Sequence, residues 1–286
     1  ISSEYSLGIT QNFTEAFEAK GGKVTITNSS QFIDCTSGDV NKMGYGGAVA
    51  AVAVKESQSG SLHISGKVSF SGTQAAGGPC GIYAKQIEEV TIEGAQFSQL
   101  ISAEGAIGAD GVAVHVKNCG QVAIKDASFD NCKGDSDGGA VKIYSVGAIL
   151  DSCTFTDCSS GRNGGALFIA DNGTVVKNTT FKQCSAQTNG GAVYLDGKSQ
   201  VTMEGVKIEG CSAWYGSGIY VSAAGISEEG KADADTFLTL DDQCAITQCG
   251  SAKEGGGIYI ERRGQVRLNG AKITGCKADK GGGVFI

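Results

Sequence analysis

Apolar and polar residues alternate in short runs along most of this chain. Examples are Val90-Thr91-Ile92, Val122-Ala123-Ile124, Val201-Thr202-Met203 and Val266-Arg267-Leu268. A period of two is that of β-strands with one face buried, and a helical period of 3.6 does not fit these runs. Each run is followed by a residue that tolerates positive φ: Gly94, Asp126, Asn178, Gly205 or Gly270. Such residues allow a sharp corner. Three positions later stands an apolar anchor, Phe97, Phe129, Phe181, Ile208 or Ile273.

The anchors belong to a longer repeat. Phe129-Asp130-Asn131-Cys132 leads to Gly138-Gly139-Ala140-Val141, and Phe155…Cys158 leads to Gly164-Gly165-Ala166-Leu167. Phe181…Cys184 leads to Gly190-Gly191-Ala192-Val193. Copies with Ile anchors follow at Ile208…Cys211, Ile246…Cys249 and Ile273…Cys276, and earlier ones start at Phe32, Phe70 and Phe97. The nine anchors are 38, 27, 32, 26, 26, 27, 38 and 27 residues apart. One repeat thus holds three short strands and three corners. It cannot bury its own apolar face, so the repeats must stack, each strand pairing in parallel with its equivalent one coil away.

The pattern predicts an all-β fold, a right-handed parallel β-helix of about nine three-stranded coils. Residues 24–286 form the repeats and 1–23 an N-terminal cap. A short helix is expected over residues 4–20, where it would cover an open sheet edge. Residues 283–286 stop inside a strand-like pattern, so either the natural chain continues or another molecule stacks there. The longer intervals place insertions near residues 51–60, 104–110 and 222–236.

Composition narrows the function. Gly is abundant at 45 residues, and the net charge is -7. An acidic chain lacks the basic footprint of a nucleic-acid binder. No apolar run is long enough to insert in a membrane. The 11 Cys include no C-x-x-C pair, and the two His, His63 and His115, are far apart. No metal site and no cofactor are expected. Nor do the glycine pairs form a phosphate loop, for they lack the G-x-x-x-x-G-K-[ST] pattern.

Stacking brings like residues into ladders. Cys35, Cys132, Cys158, Cys184, Cys211, Cys249 and Cys276 fall at one place on their coils. Parallel neighbours about 4.8 Å apart do not converge as a disulfide requires, which favours buried thiols over a disulfide ladder. The pairs Cys153–Cys158 and Cys244–Cys249 are the better disulfide candidates. Two positions after the glycine motif the register reads Ala50, Tyr83, His115, Lys142, Phe168, Tyr194, Tyr220, Tyr259 and Phe285. The alternation points this row outward. It predicts an exposed aromatic strip of Tyr83, Phe168, Tyr194, Tyr220, Tyr259 and Phe285, which either stabilises the sheet or binds sugars or a partner surface. Sequons at Asn12, Asn28, Asn172 and Asn178 are glycan acceptors if the chain is secreted by a eukaryote.

A β-helix enzyme acting on polysaccharides would need carboxylates facing one groove, alone or with Arg or Lys. No such set is legible on adjacent coils at one sheet position, and the recurrent Asp34 and Asp157 read as turn formers. No catalytic residue is therefore assigned.

With both motifs in hand, the chain resembles the passenger region of the chlamydial polymorphic outer membrane proteins. That family repeats G-G-A-[ILV], present here at Gly47, Gly139, Gly165 and Gly191, with F-x-x-N. Here Cys35, Cys132, Cys158 and Cys184 replace the Asn. The resemblance implies a surface-exposed β-helix that adheres to cells and self-assembles. The expected function is an extracellular, non-catalytic structural or adhesion module at the cell surface, with a filament protomer as one form of it. A polysaccharide lyase or glycoside hydrolase of the β-helix class and a carbohydrate-binding rod are the alternatives. Expected partners are further copies end to end, or a longer chain, together with glycans or host and cell-surface molecules.

Overall fold

The computed structural model describes residues 4–7, 12–15, 17–20, 22–37, 47–53, 60–75, 78–102, 110–222 and 236–286. They form a parallel β-solenoid in which every strand pairing is parallel to a strand of an adjacent coil. One coil reads Gln121–Lys125, Ser128–Asp130, Lys133–Gly134 and Val141–Tyr144, after which Ile149–Asp151 begins the next. The four positions build four sheets, called here first to fourth in that order. The first and fourth hold 10 strands each, the second 11 and the third 5.

Two expectations are corrected. Residues 4–20 contain the strands Glu4–Leu7, Asn12–Glu15 and Phe17–Lys20 instead of a helix. Each extends one of the long sheets by a rung, a pairing that satisfies more sheet-edge backbone groups than a helix laid across the end would. The coil also has a fourth strand position, not three. After the Cys of each motif, two residues stay extended and pair, as in Lys133↔Ser159↔Ser185↔Ser212. Their small polar side chains gave no alternation from which a strand could be read. The three expected insertions lie largely outside the described residues.

Inside, Phe32, Phe70, Phe97, Phe129, Phe155 and Phe181 stack with nearly parallel ring planes, with ring centroids 4.5 Å apart at Phe129–Phe155 and 4.9 Å at Phe97–Phe129. Ile208, Ile246 and Ile273 continue the row. Each fully buried side chain of this size contributes about 1.5–3 kcal/mol. The corners behave as the sequence predicts: Gly94, Asp126, Asn178, Gly205 and Gly270 all have positive φ. A second left-handed corner precedes the motif Cys, at Asp34, Asn131, Asp157, Gln183 and Gln248. The second glycine of the pair has a steric reason. A Cβ at Gly165 would lie 2.1 Å from the Gly191 carbonyl oxygen and 2.3 Å from that of Ser185.

The Cys row stacks as read, and the thiols point along the rod. Cys132, Cys158, Cys184 and Cys211 each donate to the anchor carbonyl one coil back: Phe97, Phe129, Phe155 and Phe181. The Cys153–Cys158 and Cys244–Cys249 disulfides are not formed. Cys153 and Cys158 occupy successive corners on either side of the Phe155 strand, and Cys153 donates instead to the Ile124 carbonyl. Burial pushes the Cys153 thiol up to about 12 and Cys158 well above its usual value. Alkylation is therefore expected to leave Cys153, Cys158, Cys184 and Cys211 unlabelled in the native protein and to label all four, with Cys244 and Cys249, after denaturation without reductant. Peptide mass spectrometry reads the outcome, and a disulfide-linked peptide carrying either pair would refute it.

Candidate functional site

On the outer face of the fourth sheet runs a row in which aromatic and charged side chains mix. Strand pairing confirms its register: Ala50↔Tyr83↔His115↔Lys142↔Phe168↔Tyr194↔Tyr220↔Tyr259↔Phe285. The strip is not exposed as expected. Tyr83, Phe168, Tyr194 and Tyr220 are only 3–8% accessible, and Tyr259 and Phe285 are half-buried. Rings on adjacent coils cover one another's faces: Phe168–Tyr194 centroids are 5.0 Å apart, Tyr194–Tyr220 5.2 Å and Tyr220–Tyr259 4.8 Å. Tyr144, Ala170 and Tyr215 pack along the sides. What remains open to a partner is a ridge of ring edges, not ring faces.

Toward the N-terminal half the row turns polar. Lys142 reaches between two corners and pairs with Asp110 at 2.9 Å and Asp137 at 3.2 Å. Its side chain is 5% accessible, and its ammonium lies 4.6 Å from the Phe168 ring centre. Asp137 is held further by the Asn163 amide, which donates to it at 3.0 Å, and Asn163 accepts in turn from Asn189 at 3.0 Å. A continuous hydrogen-bonded ladder therefore runs down the glycine corners. Burial alone would raise Asp110, but Lys142 and the surrounding donors outweigh it and hold its carboxyl below the usual range.

His115 sits one coil from Lys142, edge-on to Tyr83 at 5.4 Å, with its Nε2 buried and without a hydrogen-bond partner. Burial pushes its pKa down to about 4, with Lys142 and Lys117 acting in the same direction and Asp110 opposing them. On the other flank, burial raises Asp196 and lifts Tyr144 and Tyr194 to about 12.

Sequence reasoning missed this charged cluster. Asp110 ends an insertion and Asp137 lies in a corner, so neither belongs to the strand pattern that set the alignment. Lys142 standing among aromatics was the visible signal. Chemically the cluster carries one negative charge more than it neutralises: its single cation is shared by two carboxylates, and its histidine stays uncharged near neutrality. Among the described residues no group of His, Cys, Asp and Glu could hold a metal ion.

The sequons lie at corners or on strands. Asn28, Asn172 and Asn178 are exposed, and Asn178 donates to Asp151 at 3.1 Å. Asn12 lies in the strand Asn12–Glu15.

No curated protein and no solved structure matches the chain at a significant level. The family model described as right handed beta helix region matches residues 111–286, well over half of the chain. The protein belongs to the right-handed β-helix family.

Proposed function

We propose that this chain is a non-catalytic structural rod displayed outside the cell, serving as a surface or adhesion module. The observation that supports this reading most is that its ladders are complete in themselves. Phenylalanines, thiols and aromatic rings each stack without interruption over several coils, and Lys142, the one buried lysine among the described residues, is paired with two carboxylates. Such a face stiffens a solenoid and keeps it in one register. A catalytic face would instead leave an acid, base or nucleophile open to substrate.

The carboxylates Asp110, Asp137 and Asp196 around Lys142 favour a second reading, a polysaccharide lyase or glycoside hydrolase acting on this face. Electron microscopy of source cells with gold-labelled antibody, together with assay of the purified protein on acidic and neutral polysaccharides, separates the two. The structural reading expects label on the outer surface and no bond cleavage. Cleavage that Asp196→Asn abolishes would establish the enzyme instead, and label confined to the cell interior would remove surface display.

A further inference from the structure

Two successive glycine corners present an aspartate each to a single lysine. Asp110 precedes the strand Val114–Lys117, and Asp137 precedes the strand Val141–Tyr144 of the next coil. Lys142 lies on the second of these strands, in register with His115 on the first. Backbone contacts tie the corners together. The Gly111 amide donates to the Asp137 carbonyl at 3.0 Å, and the Asp137 amide donates to Asp110 Oδ1 at 3.1 Å. Lys142 Nζ meets the other Asp110 oxygen, Oδ2, at 2.9 Å and Asp137 Oδ2 at 3.2 Å. The Phe168 and Tyr144 ring centres stand 4.6 Å and 5.4 Å from the ammonium, and the lysine side chain is 5% accessible.

An ion pair needs only proximity, and this arrangement has more. The two oxygens of Asp110 have different partners. Oδ1 accepts from a backbone amide, the kind of donor that stabilises charge developing on a carbonyl oxygen under attack. Oδ2, on the lysine side, is the oxygen free to leave. Asp137 touches the lysine with one oxygen, while the Asn163 amide holds the other at 3.0 Å. It is thus placed to take a proton from the amine and return it. The charged pair is the resting form, since Lys142 and the surrounding donors hold the Asp110 carboxyl below the usual range. The aromatic surroundings narrow the gap to the neutral amine, because burial disfavours charge.

We propose that Lys142 and Asp110 condense, without any enzyme, into an amide cross-link between adjacent coils. The ammonium gives a proton to Asp137, and the freed lone pair of Nζ forms a bond to the Asp110 carboxyl carbon. The bond from that carbon to Oδ2 then breaks. Two of the three ammonium protons depart with Oδ2 as water, carried by Asp137, which ends ionised as it began. The third stays on the amide nitrogen. No oxidant, reductant or cofactor is consumed. Groups held in contact react at an effective concentration of roughly 10⁵–10⁸ M, which drives a condensation that a free amine and acid in water do not complete. The ion-paired cluster is the state before reaction, so the stability it confers is that of freshly folded chain. The amide then adds a covalent tie between coils, where Cys153–Cys158 and Cys244–Cys249 supply none.

Mass is the readout, and neither surface display nor polysaccharide cleavage alters it. The intact chain, folded and then held at neutral pH, is expected to become lighter than its sequence by one water molecule. Trypsin should then release a branched product that joins residues 86–117 to residues 134–162, with cleavage at Lys142 blocked. Lys142→Arg, which keeps the charge, and Asp110→Ala should both retain the full mass. Asp137→Asn should slow the loss of water at least about a hundredfold, the scale of a missing acid–base group. Native chain that keeps its full mass after prolonged incubation overturns the inference, whatever the variants do. So does a linear peptide dehydrated at Asp110-Gly111 or Asp137-Gly138, where succinimide formation loses the same water. A branched product that persists in Asp110→Ala overturns it as well.

Discussion

Lys142→Met is expected to destabilise the protein by about 3–5 kcal/mol, the cost of leaving a buried ionic cluster without one of its partners. Methionine keeps the length and the packing over Phe168 but removes the charge. Asp110 and Asp137 would then face each other across adjacent coils, 21% and 13% accessible, with no cation between them. Coulombic repulsion and desolvation act in the same direction there. Combining Lys142→Met with Asp110→Asn and Asp137→Asn should restore most of the loss, because amides at both positions can still accept the corner hydrogen bonds. Urea unfolding of the native chain, the single variant and the triple variant measures this. A loss below about 1 kcal/mol for the single substitution would place the pair in the range of solvent-screened surface bridges and remove it as an anchor of the glycine corners.

How much of this was legible in the sequence follows from what sets each feature. The parallel solenoid was legible because stacking forces the same residue types to recur: Phe129, Phe155 and Phe181 recur 26 residues apart, and their rings stack 4.5 Å and 4.8 Å apart. Corners were legible for the same reason, since Asp126, Asn178 and Gly205 share a backbone conformation that few residues adopt. The register of Tyr194 and Tyr220 was also read correctly. Their accessibility was not, because alternation says which way a side chain points and nothing about what covers it. Two rings about 5 Å apart cover each other without any third element. The Lys142 cluster escaped for a different reason. Its carboxylates come from corners, positions where neither periodicity nor an apolar anchor fixes the alignment between coils. The disulfide candidates failed on direction: five residues of separation spans a strand, so Cys153 and Cys158 face different corners despite their proximity in the chain.

His115 gives the aromatic face a pH dependence of its own. Its pKa falls from the ordinary 6.5 to about 4 in the folded chain. Below pH 6.5 the unfolded chain binds a proton that the folded one refuses until about pH 4. Stability that is fully present above pH 6.5 is therefore lost as the pH falls across that window. The shift corresponds to about 3 kcal/mol over the whole range and about 2 kcal/mol by pH 5. The charges around it account for the direction only in part. Lys142 and Lys117 oppose its protonation and Asp110 favours it, but burial against Tyr83 and Tyr144 is the leading cause. Asp110 itself, held below the usual carboxylate range, loses its contribution only at lower pH. Asp196, raised by burial, acts in the opposite sense and partly masks the histidine as the window closes. Comparing urea midpoints of the native chain and His115→Phe from pH 7.5 to 4.5 isolates the effect. Phenylalanine keeps a ring beside Tyr83 and cannot titrate, so the variant's stability should stay nearly flat between pH 6.5 and 5 where the native chain declines. Parallel curves for the two proteins would mean that His115 charges freely in the folded state. The ring would then be open to water, and the face around Lys142 would be accessible to a ligand after all.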